Sequence, residues 1–347
     1  MKIMMIAAFI FIFFLTGTAW PQSDTLRKSG EAHLGNVKQL TFGGENAEAY
    51  LSFAGDKLIF QSTRDSFPCD QIFTMGINGD GVALRSTGTG RTTCAYYLPG
   101  DSSYIYSSTH AHNPGCPQKP DFSKGYVWAI YPSYDIYVQR TGNGGPSVLS
   151  ASAGYDAEAT VSPVGDRIVF TSSRDGDLEL YSMKTDGSGI VRLTHEVGYD
   201  GGAFYSADGT KIIYRSHHPA DSAGKADFLD LLRKGLVRPS VMEICVMNAD
   251  GTGKKQITNF NAASFAPYFH PDGKRIVFAS NLKDPKGRNF DIFSISIDGT
   301  GLEQVTFNDT FDGFPVFTAD GKKLIFSSNR NARERGETNV FIADWIP

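Results

Sequence analysis

The sequence predicts an all-β chain, a six-bladed β-propeller of four-stranded antiparallel blades, and three observations carry that expectation. A turn glycine recurs at Gly55, Gly165, Gly209, Gly273 and Gly321, with Asp101 in the same place in a degenerate copy. The steps between these anchors are 46, 64, 44, 64 and 48 residues, a period that marks propellers and arrays rather than one irregular sheet. Around each anchor lie short β-branched and aromatic runs separated by turn residues.

The copy anchored at Gly273 shows how one unit is built. Phe265 to Phe269 meets the turn His270-Pro-Asp-Gly-Lys274, and Arg275 to Ala279 follows as a second strand. Asp291 to Ile297 forms a third, Asp298-Gly299 a hairpin turn, and Glu303 to Thr306 a fourth. Asp-Gly pairs supply the positive φ that tight turns need. Six anchors give six blades. The last copy runs through Phe314 to Phe317, Lys323 to Ser327 and Asn339 to Asp344 and lacks a fourth strand, whereas Val37 to Thr41 reads as a fourth strand with no blade before it. Pairing the two closes the ring and removes its open edges.

The repeat also carries a resemblance. The succession Q-[LIV]-T, then [SH]-[PA]-D-G-[KT]-[RK]-[IL]-[IV]-[FY], then [IL]-[YFC]-x-[MI]-x-x-D-G is similar to the TolB-type β-propeller repeat, over Val37 to Pro347. The resemblance implies the fold. It does not carry over a Tol-Pal role, because TolB places an α/β domain before its propeller and here only 20–36 precede the first repeat strand.

The expected domains are a signal peptide at 1–19, an N-terminal extension at 20–36 and one propeller domain at 37–347. Lys2, the apolar run Ile3 to Leu15 and the small residues Gly17 to Ala19 have the form of a secretory leader, with cleavage after Ala19 or near Gln22. No cysteine follows the run, so a periplasmic or secreted protein without a lipid anchor is expected. No later segment is long and apolar enough to span a bilayer, and a net charge of -4 with interspersed signs excludes a basic nucleic-acid footprint. A monomer is expected.

An extracytoplasmic setting makes the four cysteines candidates for a disulfide. Cys69 lies in a second-to-third strand connection and Cys94 at the start of an innermost strand; in a meander both connections emerge on one face. A Cys69–Cys94 bond is expected, with Cys116, on the same face, as competitor. Cys245 sits inside a strand and reads as a buried free thiol.

The same topology orients the functional reading. Both 64-residue steps hold extra sequence in second-to-third connections, His110 to Tyr134 and His217 to Ser240, so both insertions crown one face. The first is proline-rich, then aromatic through Tyr126, Trp128 and Tyr131, and suggests an irregular loop. The second places Phe228, Leu231 and Leu232 at helical spacing. Long loops on a rigid scaffold are where binding residues collect.

Aligning the copies exposes two rings on that face. Nine residues after the anchors stand Arg64, His110, Arg174, His218, Leu282 and Arg330; nine before stand Asn46, Thr92, Asp156, Asp200, Ser264 and Asp312. Glu48 and Glu158 lie two residues nearer the anchors, at the channel mouth. The arginines, with Glu48 and Glu158, are expected to form a structural ring of ion pairs between neighbouring blades. The candidate binding face comprises His110, His112, Trp128, Asp156, Asp200, His217, His218 and Asp312.

Two classes of function remain. One is a non-enzymatic module that binds a protein or peptide partner in the cell envelope. The other is a metal-dependent carbohydrate-active enzyme, for which the similar repeats of oligogalacturonate lyases supply a precedent; His110, His195 and His218 would be its ligands. The sequence lacks a nucleophile elbow, a P-loop, H-E-x-x-H and a dinucleotide fingerprint. The first class is the reading adopted, with no cofactor expected.

Overall fold

A computed structural model describes residues 25–120, 126–142, 144–284 and 286–347. The expected leader lies outside them. Six four-stranded antiparallel sheets follow one another around a central channel. Their innermost strands are Glu45–Leu51, Thr92–Tyr97, Asp156–Val161, Tyr199–Tyr205, Ser264–Phe269 and Asp312–Phe317. No helix among the described residues is long and apolar enough to cross a membrane.

The blades share one packing device. The second strand contributes a ring that meets another from the third: Phe60 with Phe73, Tyr106 with Tyr137, Phe170 with Tyr181, Phe278 with Phe293, and Phe326 with Phe341, at centroid separations of 5.7–6.2 Å. Such pairs bury large area and fix the cross-strand register. In blade 4 the pair is Tyr214 opposite Cys245, which is buried and free. Its thiol fills the place of a ring.

The ring closes as expected, with the strand beginning earlier. Leu34–Gln39 pairs antiparallel with Asn339–Trp345 and completes blade 6. Leu34 and Val37 enter a cluster with Phe317, Leu324, Phe326 and Phe341. Upstream of the strand, the fully buried Glu31 carboxylate accepts from both terminal nitrogens of Arg330, at 2.8 and 3.1 Å. Part of the N-terminal extension therefore belongs to the propeller.

The disulfide requires correction. Cys69 bonds Cys116, with Cα atoms 6.0 Å apart, and Cys94 is free. The reason lies in the backbone of Cys94, which occupies a bulge of the innermost strand at a φ of 50° and hydrogen-bonds Glu48 in the channel. Cys69 and Cys116 both stand in connections outside the channel.

The insertions meet above the channel. Trp128–Ala129 from the first pairs with Leu236–Val237 from the second as a two-stranded sheet. The predicted helix spans Ser222–Arg233; Asp221 caps it by accepting from the Gly224 amide at 2.7 Å, and Phe228 is its buried residue. Phe228, Val237, Ile130 and Tyr134 pack with Tyr155, Leu178 and Tyr199. A β-ladder between the insertions was not expected.

Candidate functional site

Each innermost strand breaks register at the same place, seven residues before its anchor. The bulge residues are Glu48, Cys94, Glu158, Gly202, Ala266 and Phe314, with φ between 49° and 59°. Register shifts occur there in all six blades. A bulge re-aims its side chain, and the left-handed backbone costs on the order of 1 kcal/mol for every residue but glycine. The six together line a constriction of about 30 Å3 in the channel.

The single glycine of this ring has a specific use. A Cβ at Gly202 would stand 2.7 Å from a terminal nitrogen of Arg215. The missing side chain leaves room for the Arg215 guanidinium to reach Glu158 of the neighbouring blade, with which it forms an ion pair between blades 4 and 3. Arg215 also donates to the Tyr199 hydroxyl and lies 5.0 Å from the ring of Trp128 and 5.4 Å from that of Tyr199. Glu158 in turn accepts from Thr171 Oγ1 at 2.7 Å and the Gly202 amide at 3.0 Å. This carboxylate is fully engaged.

Glu48 differs. Its Oε2 accepts from Cys94 Sγ at 2.9 Å, and nearby Arg215, whose charge pulls on it, is paired with Glu158 instead. Burial pushes the Glu48 carboxyl up to about 7, against the opposing pull of the Cys94 hydrogen bond; nearby Glu158 adds to the rise. Burial, with the charge of Glu48, also raises the Cys94 thiol well above its ordinary range. Because the folded pKa of Glu48 exceeds the unfolded one, the native state binds more protons than the unfolded state between about pH 4.5 and 7, and stability falls as pH rises through that window. Glu48→Gln removes the cost. It is expected to leave stability unchanged at pH 4.5 and to raise it by about 1–2 kcal/mol at pH 8, read from urea unfolding at both pH values.

Above the constriction the channel opens into a cup of about 1000 Å3 on the loop-bearing face. Glu48, Glu158 and Arg215 form its floor. Aromatic side chains build its wall: Tyr126 and Trp128 from the first insertion, Tyr155 and Tyr199 from blades 3 and 4, and Phe265, Phe290, Phe311 and Phe314 from blades 5 and 6. Exposed Lys286 and Arg288 stand at the rim. An apolar concavity with few convergent polar groups has the character of a ligand site.

Of the residues singled out from sequence, Trp128, Glu48 and Glu158 line this cup. Asp156, Asp200 and Asp312 are buried beside it, each engaged by a cationic side chain or histidine of its own blade, and Asp156 also accepts from Ser150 of blade 2 at 3.2 Å. Asp156 accepts from Arg174 at 3.0 Å and from Ser172 at 2.5 Å; Asp312 accepts from Arg330 at 2.8 Å. Arg174 and Arg330 thus pair within their own hairpins, and Glu158 pairs across blades with Arg215, a residue outside the expected ring. Arg64 instead lies 5.6 Å from the Phe73 ring. The cause is hairpin geometry: Asp156 faces Ser172 and Asp312 faces Ser328, so the arginine two residues onward folds back to the acid of its own hairpin.

The histidines stand outside the cup lining. His110 Nδ1 lies 2.8 Å from Ser108 Oγ and its ring packs on Tyr137 at 4.4 Å. His112 Nε2 is 2.9 Å from Asp135. His218 bridges Asp200 at 3.2 Å and Glu196 at 3.4 Å; burial opposes its charging, but these carboxylates outweigh it and raise its pKa. Burial, with the charge of His218, lowers the pKa of the neighbouring His217. His195 is exposed. Among the described residues, no group of three or more His, Cys, Asp or Glu side chains is arranged to hold a metal ion.

Arg215 and most of the aromatic wall escaped the sequence reading. The signal was present ten residues before the anchors, where Tyr155, Tyr199 and Phe311 recur. A serine ring two residues before the basic one, Ser62, Ser108, Ser172, Ser216, Ser280 and Ser328, was likewise legible. These serines face the acidic ring across the hairpin.

No family model matches the sequence, and neither does any curated protein. Solved structures do. A protein of Agrobacterium tumefaciens assigned as TolB superposes with a TM-score of 0.59 at 18% identity, over 90% of this chain and 97% of that one. TolB from Acinetobacter baumannii gives 0.56 at 17%, over 87% of this chain and 64% of its own length. An oligogalacturonate lyase in complex with manganese gives 0.55 at 12%, over 92% and 95%. The chain thus has the TolB-like propeller fold. Among the described residues no cluster of His, Cys, Asp or Glu is arranged to hold an ion such as the manganese of that lyase.

Proposed function

We propose that the protein is a binding module that takes a protein or peptide segment into the aromatic cup of its loop-bearing face, outside the cytoplasm. The observation that carries this reading is the cup itself, whose wall draws on blades 3 to 6 and an insertion. Rigid aromatic side chains offer large contact area at low entropic cost, and desolvated rings of this kind dominate binding energies. The Cys69–Cys116 disulfide supports an oxidising compartment, since such bonds are rare in the cytosol.

Panning a displayed peptide library against the purified protein tests the proposal. Selected peptides are expected to lose at least about tenfold in affinity on Trp128→Ala and on Phe290→Ala, while the unfolding midpoint shifts little. Substituting His110 and His218 should leave affinity unchanged, because neither lines the cup. Selected peptides that bind both aromatic variants as tightly as the parent, yet lose binding on charge reversal at Asp250 and Asp298 of the opposite face, would refute it.

A further inference from the structure

The cup's floor is charged asymmetrically. It holds two carboxyl groups, Glu48 and Glu158, and one guanidinium, Arg215. Glu158 and Arg215 satisfy each other and are held further by Tyr199, Thr171 and the Gly202 amide. Glu48 is left with one weak thiol donor on Oε2, at the one level of the channel shared by the constriction and the cup. A desolvated carboxylate in that position carries an uncompensated charge, which is costly until a cation reaches it.

The walls suit such a cation. Faces of Trp, Tyr and Phe attract ammonium and guanidinium groups through the ring quadrupole, as Arg215 already shows by lying over Trp128 and Tyr199. An acid at the bottom of an aromatic enclosure is complementary to an organic cation with an apolar stem. At the outer end the charge reverses, since the exposed Lys286 and Arg288 stand on the rim.

We propose that the cup recognises a basic side chain, the ammonium of a lysine or the guanidinium of an arginine in the bound segment, which reaches the floor and pairs with Glu48. The inference rests on the binding reading above and names the chemistry of its ligand. The groups facing Glu48 are Tyr50, Cys94, Glu158, Arg215 and Asp70. Of these only Arg215 is cationic, and it is committed to Glu158. Pairing with the ligand draws Glu48 into its ionised form, so affinity should rise with pH between 6 and 8 as the free protein ceases to hold the proton.

Two peptides decide the matter by calorimetry: acetyl-Glu-Phe-Lys-amide, whose acid suits the rim, and acetyl-Glu-Phe-norleucine-amide, which keeps the stem and loses the charge. The lysine peptide is expected to bind at least about tenfold more tightly at pH 8, and Glu48→Gln should abolish that difference while the norleucine peptide binds both proteins alike. Equal affinity of the two peptides, with both lost in Trp128→Ala, would overturn the cationic assignment and leave the cup as the binding site. Failure of the lysine peptide to bind at about 1 mM would overturn it as well. A lysine preference that survives Glu48→Gln would show that another group supplies the charge.

Discussion

Deleting residues up to Gln39 is expected to unfold the propeller. The lost strand supplies Leu34, wholly buried, and Val37, nearly so, each contributing about 1.5–3 kcal/mol of apolar burial. It also covers the edge of Asn339–Trp345, whose ladder runs from Leu34 opposite Trp345 to Gln39 opposite Phe341. His33, stacked on Trp345 at 5.0 Å, and Glu31, bonded to Arg330, leave with it. A domain's total stability is about 5–15 kcal/mol, so losses of this size leave little native protein. The truncated chain should aggregate through the exposed edge and show no cooperative urea transition. A cooperative transition with a midpoint close to the parent's would show that closure does not depend on this strand.

Arg330→Ala is expected to cost about 3–5 kcal/mol, the second largest effect, because it leaves two buried carboxylates without their shared partner. Arg330 is only 2% exposed and bridges Glu31 and Asp312, with Phe326 and Phe341 beneath the guanidinium at 4.9 and 5.9 Å. Burial already raises the Asp312 carboxyl to about 6, even with Arg330 pulling it down. Removing the arginine raises it further. The variant's deficit should therefore be largest at pH 8, where the stranded Asp312 must ionise, and shrink towards pH 4.5, where it is protonated in the folded state. Urea unfolding at the two pH values reads the difference; a deficit independent of pH would mean that lost packing, not stranded charge, sets the cost.

The architecture was legible because it is periodic. One turn anchor, repeated six times, specifies the hairpins, and two incomplete ends specify the closure. What distinguishes one blade from another was harder to read. Arg215 carries no signal of its own within its strand, and its reach to the neighbouring blade depends on the absence of a side chain at Gly202, in another strand of the same blade. Cys94 was placed on the correct face, but its side chain is aimed by a bulge that spacing does not reveal, so it meets Glu48 rather than Cys69. The Trp128–Ala129 ladder to Leu236–Val237 joins segments more than a hundred residues apart, each too short to read as a strand. The rings of acids and bases were found by alignment, yet their pairing within hairpins follows from register, which a one-residue bulge displaces.

The union of the two insertions has a consequence for how a visitor lands. A bare rotor of six like blades offers the same welcome at every sixth of a turn, and an arriving segment would divide itself among equivalent orientations, at a cost of about 1 kcal/mol in positional certainty. The roof formed by Trp128–Ala129 and Leu236–Val237 ends that equivalence on one side of the molecule and leaves the Asp-Gly side unchanged. The protein thereby acquires a north: a guest can be told apart by which way round it sits.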